Sequence, residues 1–270
     1  MTEIRRLSVR HITTYAYDAP QSWGLLRLRL TPRSHRFQRV LSWSVTLEGA
    51  RRELGYEDHH RNLVDLASLE PGASTVIIRC EGEVEVTDNA GVLGSQGGFA
   101  PLWLFLRETP RTRPGPACSA LVSRVMAAES ETLNRLHALT RALAEGIVFA
   151  PGATDVASTG EEALAHGRGV CQDHAHAFLA CARAMGVPAR YVSGYLLMDR
   201  IEQEASHAWA EAWIEGLGWV GFDPANCICP DHRYIRLATG LDYGEASPVS
   251  GSRRGTGDES LSVHVEVAAQ

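Results

Sequence analysis

The sequence predicts an α+β protein: an N-terminal antiparallel β-sandwich followed by an α+β core in which a cysteine-bearing helix packs on an antiparallel sheet. Three observations predict it. From Arg6 to Asp88 strand-like runs alternate with turns, the period-2 pattern of half-buried strands. Over Thr132 to Gly146, and again from Cys171 to Met185, apolar residues recur at helical spacing, as on helices that bury one face. After Gly186 and Pro188, runs rich in Tyr, Val and Leu return, with a turn at Glu215-Gly216-Leu217-Gly218, which reads as a second, smaller sheet.

In the front region Leu26, Leu28 and Leu30 interleave with Arg27 and Arg29, and Val84 and Val86 alternate with acidic neighbours, a pattern that suits a sandwich. Ala90 to Gly98 is glycine-rich and breaks it, and Arg107 to Ala117, with Pro110, Pro114 and Pro116, reads as an extended connection. Between them Leu102 to Leu106 is a compact apolar patch, either packing at the domain junction, the favoured reading, or one wall of a substrate cleft. Thr132 to Gly146 is a helix whose Leu133, Leu136, Leu139 and Leu143 form a buried stripe. Thr159 and Glu162 have capping-box spacing at the start of a short helix that runs out at Gly167-Arg168-Gly169. Gly251 to Gly257 reads as a mobile loop, and Leu261, Val263, Val265 and Val267 as a terminal strand returning to an existing sheet. The domains expected are therefore 1–98 β-rich, 99–250 the core, and 251–270 the loop and last strand.

Within the core, GRGVCQDHAH, SHAW and GWVGFDP place Cys171, His207 and Asp223 in one stretch. A helix opens at Cys171, with Ala175, Phe178, Leu179, Ala182 and Met185 at helical spacing and a stop at Gly186 and Pro188. Free N–H groups and the positive end of the macrodipole at a helix start favour a thiolate and can hold an oxyanion. Asp173 reads as a first-turn carboxylate on backbone amides. His207 begins one strand and Asp223 ends its neighbour, so register decides whether they meet. Pairing of Ile214 with Trp219 would turn Asp223 to the opposite face. A three-residue loop or a bulge sets it opposite Trp209, a diagonal neighbour of His207 at roughly 7–8 Å, and this second geometry is expected. A lone cysteine is more often a core residue than a nucleophile; the histidine and aspartate in order are what favour catalysis.

The run GRGVCQDHAHAFLACARAMGVPARYVSGYL, followed by SHAWAEAWIEGLGWVGFDPAN, resembles the core of bacterial transglutaminase-like proteins, of the papain-like thiol-enzyme group. HITTYAYDAPQSWGLLRLRLTPR resembles the β-rich region that precedes that core in the same proteins. Together these cover most of the chain. The resemblance implies a papain-like/transglutaminase-like fold for the core, with Cys171 as nucleophile, His207 as base and Asp223 as the residue orienting it. His174 departs from the aromatic or apolar residue common there, which bears on local packing and not on the triad. Beyond the Cys171 amide, Gln172, Trp209 and Trp103 are the candidates for the oxyanion site or substrate cleft.

The chemistry expected is attack of the thiol on an amide carbonyl of a peptide or protein substrate, giving a thioester. Water then yields a peptidase or amidase, slightly favoured because no module for recruiting amines is visible. An amine yields a transglutaminase, and a degenerate site yields a peptide-binding module. No cofactor is called for. His174, His176, Cys227, Cys229 and His232 lack the paired CxxC or HExxH spacing of a metal site, and the 227–232 segment reads as a loop after the strand. The formal net charge of −6 and the 44% hydrophobic content fit a globular enzyme with no nucleic-acid footprint. No signal-like or membrane-length apolar run is present, and the six scattered cysteines show no disulfide framework. A cytoplasmic location and no membrane partner are the expectations.

Overall fold

In a computed structural model the described residues are 3–95, 97–198, 202–203 and 205–270. The chain runs β1 (Ile4–Tyr17), β2 (Trp23–Thr31), β3 (Gln38–Glu48), β4 (Ala50–Glu57), β5 (Leu63–Leu69), β6 (Thr75–Thr87) and β7 (Val92–Gly94). Helices α1 (Pro116–Ala128) and α2 (Thr132–Gly146) follow, then β8 (Val148–Phe149), α3 (Gly160–His166), β9 (Arg168–Gly169) and α4 (Cys171–Ala184). The last part holds β10 (Ala189–Leu196), β11 (Glu202–Gln203), β12 (His207–Ile214), β13 (Gly218–Phe222), β14 (Tyr234–Gly240), α5 (Tyr243–Ala246), β15 (Val249–Arg254) and β16 (Glu259–Ala269). No helix among these residues is long and apolar enough to cross a membrane.

Two antiparallel sheets, β11-β16-β1-β6-β3 and β15-β2-β5-β4, make the sandwich. Its interior takes one face of each strand, as the alternation requires: Leu7 and Val9, Ile78 and Cys80, Leu26, Leu28 and Leu30 are all buried. The core sheet is antiparallel in the order β14-β10-β12-β13-β7. Along β12 the residues alternate between Ala208, Ala210, Ala212 and Ile214, packed against α4, and His207, Trp209, Glu211 and Trp213 on the other face. Three alanines in a row on the helix-facing side let α4 lie close to the sheet, with Phe178 stacked on Phe222 at 5.2 Å.

The two parts are joined by a device with no sequence signal. β14 lies at the edge of the core sheet, and two amide side chains from the front of the chain cap that edge in place of a strand. Gln38 donates to the Arg236 carbonyl at 2.9 Å and accepts from its N–H at 2.8 Å. Asn62 does the same for Thr239, at 2.7 and 2.8 Å. Each amide supplies one donor and one acceptor, which is what an unpaired strand edge lacks.

Several segments fall elsewhere than the sequence reading put them. Residues 251–254, read as loop, belong to β15, paired with β2. Residues 92–94, read with the front region, form β7 on the open edge of β13. A three-residue strand carries no periodic signal, so the available edge decides its place. Ala117, read as the end of an extended connection, lies in α1, which begins at Pro116; the N-terminus of α1 is satisfied by Glu161, whose carboxylate accepts from the N–H groups of Gly115, Ala117 and Cys118 at 2.7–2.9 Å. Between β10 and β12, residues 199–201 and 204 lie outside the described residues, and 202–203 pair with β16.

Candidate active site

α4 starts at Cys171 because the preceding chain is tied to its first turn. Asp173 Oδ2 accepts from the Val170 N–H at 2.7 Å and from the Thr154 hydroxyl at 2.6 Å, satisfying one of the donors that a helix start leaves open. A Cβ on Gly169 would stand 2.7 Å from Asp173 Cβ, so this return needs glycine. Asp173 is fully buried and its Oδ1 has no partner; burial raises its carboxyl above the ordinary value, against the hydrogen bonds from Thr154 and Val170. His174 is buried with its ring nitrogens 2.9 Å from the Val170 and Ile147 carbonyls, so it ties the helix start to the end of α2. Cys171 and Gln172 are half-buried.

The β12–β13 hairpin pairs Ile214 with Gly218 and Ala210 with Phe222, around the three-residue loop Glu215 to Leu217. One further step in that register sets Asp223 across from Trp209, on the same face as His207. His207 Nε2 and Asp223 Oδ2 are 2.6 Å apart. Oδ2 also accepts from the Tyr234 hydroxyl at 2.8 Å and Asn226 Nδ2 at 2.7 Å, and Oδ1 from the N–H groups of Ala225 and Asn226 at 3.0 and 3.2 Å. Asp223 is 0% exposed and His207 5%. With Nε2 engaged by Asp223, Nδ1 is the ring nitrogen left to face a further partner, and the Cys171 side chain is near enough to raise the basicity of the ring.

Electrostatics follow from that geometry. Burial alone would lower the basicity of His207, but the Asp223 carboxylate and then Cys171 outweigh it and raise the ring's pKa to about 10. Burial pushes the Asp223 carboxyl up, and the His207 ring, Asn226 and Tyr234 together hold it below its ordinary value. Asn226 follows Asp223 at the spacing of an Asx-type turn, a signal that the sequence reading above did not use; Tyr234 arrives from β14 by topology alone.

The remaining candidates take different places. Trp209 is buried, 6.2 Å from the His207 ring at 26° and edge-on to Tyr234 at 5.4 Å. Its indole crosses Gly194, where a Cβ would come within 2.5 Å of it, so the absence of a side chain at 194 lets Trp209 lie beside the His207 ring. Trp103 is 64% exposed on a 3₁₀ turn whose Phe105 packs on Trp219 at 5.0 Å. Trp219 lies four residues back along the strand direction from Asp223, roughly 13 Å, so this segment belongs to the turn end of the hairpin and packs at the junction. His176 is buried against Tyr191 in the core. Cys227 is exposed with φ +56° and His232 faces Glu3 and Asp88 at 3.5 Å. Among the described residues, His59, His60 and Glu245 bring potential metal donors within 4.8 Å of one another, but His60 Nε2 and Glu245 Oε2 already share a 2.8 Å hydrogen bond.

A sheet-backed helix that begins at a cysteine, together with a hairpin carrying a His–Asp pair, makes a papain-like architecture. The chain belongs to the transglutaminase-like superfamily, whose profile matches residues 119–224, preceded by a bacterial transglutaminase-like N-terminal region at 7–85. An uncharacterized protein of Mycobacterium leprae is 32% identical over 277 residues, covering 97% of this chain and 98% of that one. A Pseudomonas aeruginosa protein named protein-glutamine gamma-glutamyltransferase is 33% identical over 89 residues, which is 29% of this chain and 12% of the relative. The crystal structure of a Cytophaga hutchinsonii protein, provisionally named a cysteine protease, has the same fold: TM-score 0.79 at 20% identity, covering 99% of this chain and 91% of that one.

Proposed function

We propose that the chain is a thiol acyl-transfer enzyme acting on amide groups of peptides or proteins, and that water is its usual acyl acceptor. The observation that carries the reading is the His207 ring held by the Asp223 carboxylate at 2.6 Å, with Cys171 at the start of α4 adding to the basicity of that ring. Cys171 gives its proton to Nδ1 and its sulfur adds to the amide carbon; the developing oxyanion sits at the open end of α4 near the Cys171 N–H. As the C–N bond breaks, the imidazolium returns the proton to the leaving amine, and a thioester remains. Water then loses a proton to Nδ1, adds to the thioester and releases the acid and the thiolate. Asp223 stays ionised throughout and orients the ring. The cysteines are all free, which fits a reducing, cytoplasmic setting.

Amine transfer is the second reading, favoured by the activity in the name of the Pseudomonas relative over its 89-residue match; it shares every step up to the thioester. Mass spectrometry of glutamine-containing and isopeptide-containing peptides, incubated with and without a primary amine, separates the two. Free acid as the dominant product supports hydrolysis, and amine adducts at modest amine concentration support transfer. Cys171→Ala should remove both product and thioester. Products that persist in that variant would overturn the role given to Cys171, and a broad peptide set without any Cys171-dependent product would favour a peptide-binding module.

A further inference from the structure

We propose that a basic cavity at the junction of the sandwich and the core sheet binds a ligand through an oxyanion group, carboxylate or phosphate. The cavity, about 480 Å³, is lined by Arg33, His35, Arg36 and Arg61 from the front of the chain and by Arg190 and Arg236 from the core sheet. Among the described residues, two carboxylates face these five guanidinium groups. Glu57 is shared by Arg33 and Arg61, and Glu211, 0% exposed, accepts from both Arg190 and Arg236 at 2.6 and 2.9 Å. Arg36 is exposed, has only a ring contact, 5.1 Å over Phe37, and has no carboxylate partner among the described residues. The chain as a whole carries −6, so this local surplus of positive charge is not a property of the surface at large.

A second observation points the same way. His35 Nδ1 accepts from the Phe37 N–H at 3.4 Å, so the ring proton of the neutral imidazole is on Nε2. That nitrogen is buried and has no partner. An unpaired buried donor in the wall of a basic cavity is unfavourable as it stands, and an oxyanion, drawn by the positive charge of the cavity, is the kind of partner that suits it. Arginine forks suit the planar, bidentate recognition of carboxylate and phosphate. Glu211 lies four residues beyond His207 on the same face of β12, roughly 13 Å away, with Trp209 between them. The inference therefore does not rest on the acyl-transfer reading. Because the walls come from both parts of the chain, an occupant would brace one against the other.

The test is thermal melting and calorimetric titration of the full chain with citrate and with inorganic phosphate, chloride being adjusted to constant ionic strength. At least one anion should bind saturably with Kd below about 1 mM and raise Tm. Citrate alone would assign a carboxylate ligand and phosphate alone a phosphate; either result supports the site. Arg36→Glu should weaken binding at least about tenfold while its Tm in chloride and its Cys171 labelling by iodoacetamide stay as in the parent. In the unmodified protein, the bound anion should protect Arg36 and Arg61 from phenylglyoxal. Tm values that follow chloride for both anions, binding undiminished in Arg36→Glu, or no protection of these arginines would each overturn the proposal.

Discussion

Replacing Asp223 by Asn keeps the shape of the side chain and removes its charge, and the surroundings of that carboxylate set the cost. Oδ2 accepts from His207, Asn226 and Tyr234, and Oδ1 from two backbone N–H groups. An amide has one acceptor oxygen, so its NH₂ must face either three donors or two. The second choice is less unfavourable: His207 keeps its tautomer, and the Ala225 and Asn226 N–H groups lose their acceptor, at roughly 1–3 kcal/mol for each that stays dry. The larger effect is on the ring. His207 stands at about 10 against an ordinary 6.5, a difference of roughly 5 kcal/mol in favour of the imidazolium, with Asp223 the foremost group raising it. Losing even a third of that moves the balance between imidazolium and neutral imidazole more than tenfold toward the neutral ring.

The assay is iodoacetamide labelling of Cys171 followed by mass spectrometry at pH 7, with exposed Cys227 as the internal reference. The parent protein should label Cys171 well ahead of Cys227, and Asp223→Asn should slow Cys171 by between about tenfold and 10³-fold while Cys227 is unchanged. Equal labelling of the two cysteines in the parent, or an unchanged Cys171 rate in a folded variant, would refute the coupling of Asp223 to the thiol through His207.

Three further outcomes are expected. Because the folded value of His207 lies above its ordinary one, its contribution to stability is full below pH 6.5 and is lost as pH rises through about 10; Tm of the parent should fall across that range more steeply than Tm of His207→Gln, and parallel curves would count against the shift. Asp223, held below its ordinary value, acts in the opposite sense and loses its contribution only as pH falls through its folded value. Gly194→Ala would place a Cβ 2.1 Å from the Ile235 carbonyl and 2.5 Å from the Trp209 ring; denaturant melts should show a loss of roughly 1–3 kcal/mol, with slower Cys171 labelling as Trp209 shifts against His207. Glu161→Gln leaves one acceptor for three N–H groups at the start of α1 and should lower stability by about 1–2 kcal/mol, read from the denaturant midpoint with Cys171 labelling unaffected.

The local chemistry of the core was legible in the sequence because each signal acts over a few residues. The capping box at Thr159 and Glu162, the left-handed Gly167, and the start of α4 at Cys171 arise from side chains that satisfy nearby backbone groups. The hairpin was legible too, but only to within one residue: a three-residue loop and a four-residue turn use the same letters Glu215 to Gly218, and they send Asp223 to opposite faces. Tertiary pairing of Ile214 with Gly218 decided it.

What the sequence by itself determined is the division into a strand-rich front and a helix-and-sheet core, and which residue types could carry thiol chemistry; periodicity and capping are properties of the local chain. What only the tertiary structure decided is how those parts are held together. Tyr234 reaches Asp223 from β14, Gln38 and Asn62 close the edge of that strand from nearly 200 residues away, and β7, β15 and β16 find their places on sheets made by distant segments. These contacts have no period and no spacing rule. They depend on which buried donors and open strand edges remain once the local elements have formed, and that is fixed only when the chain is folded.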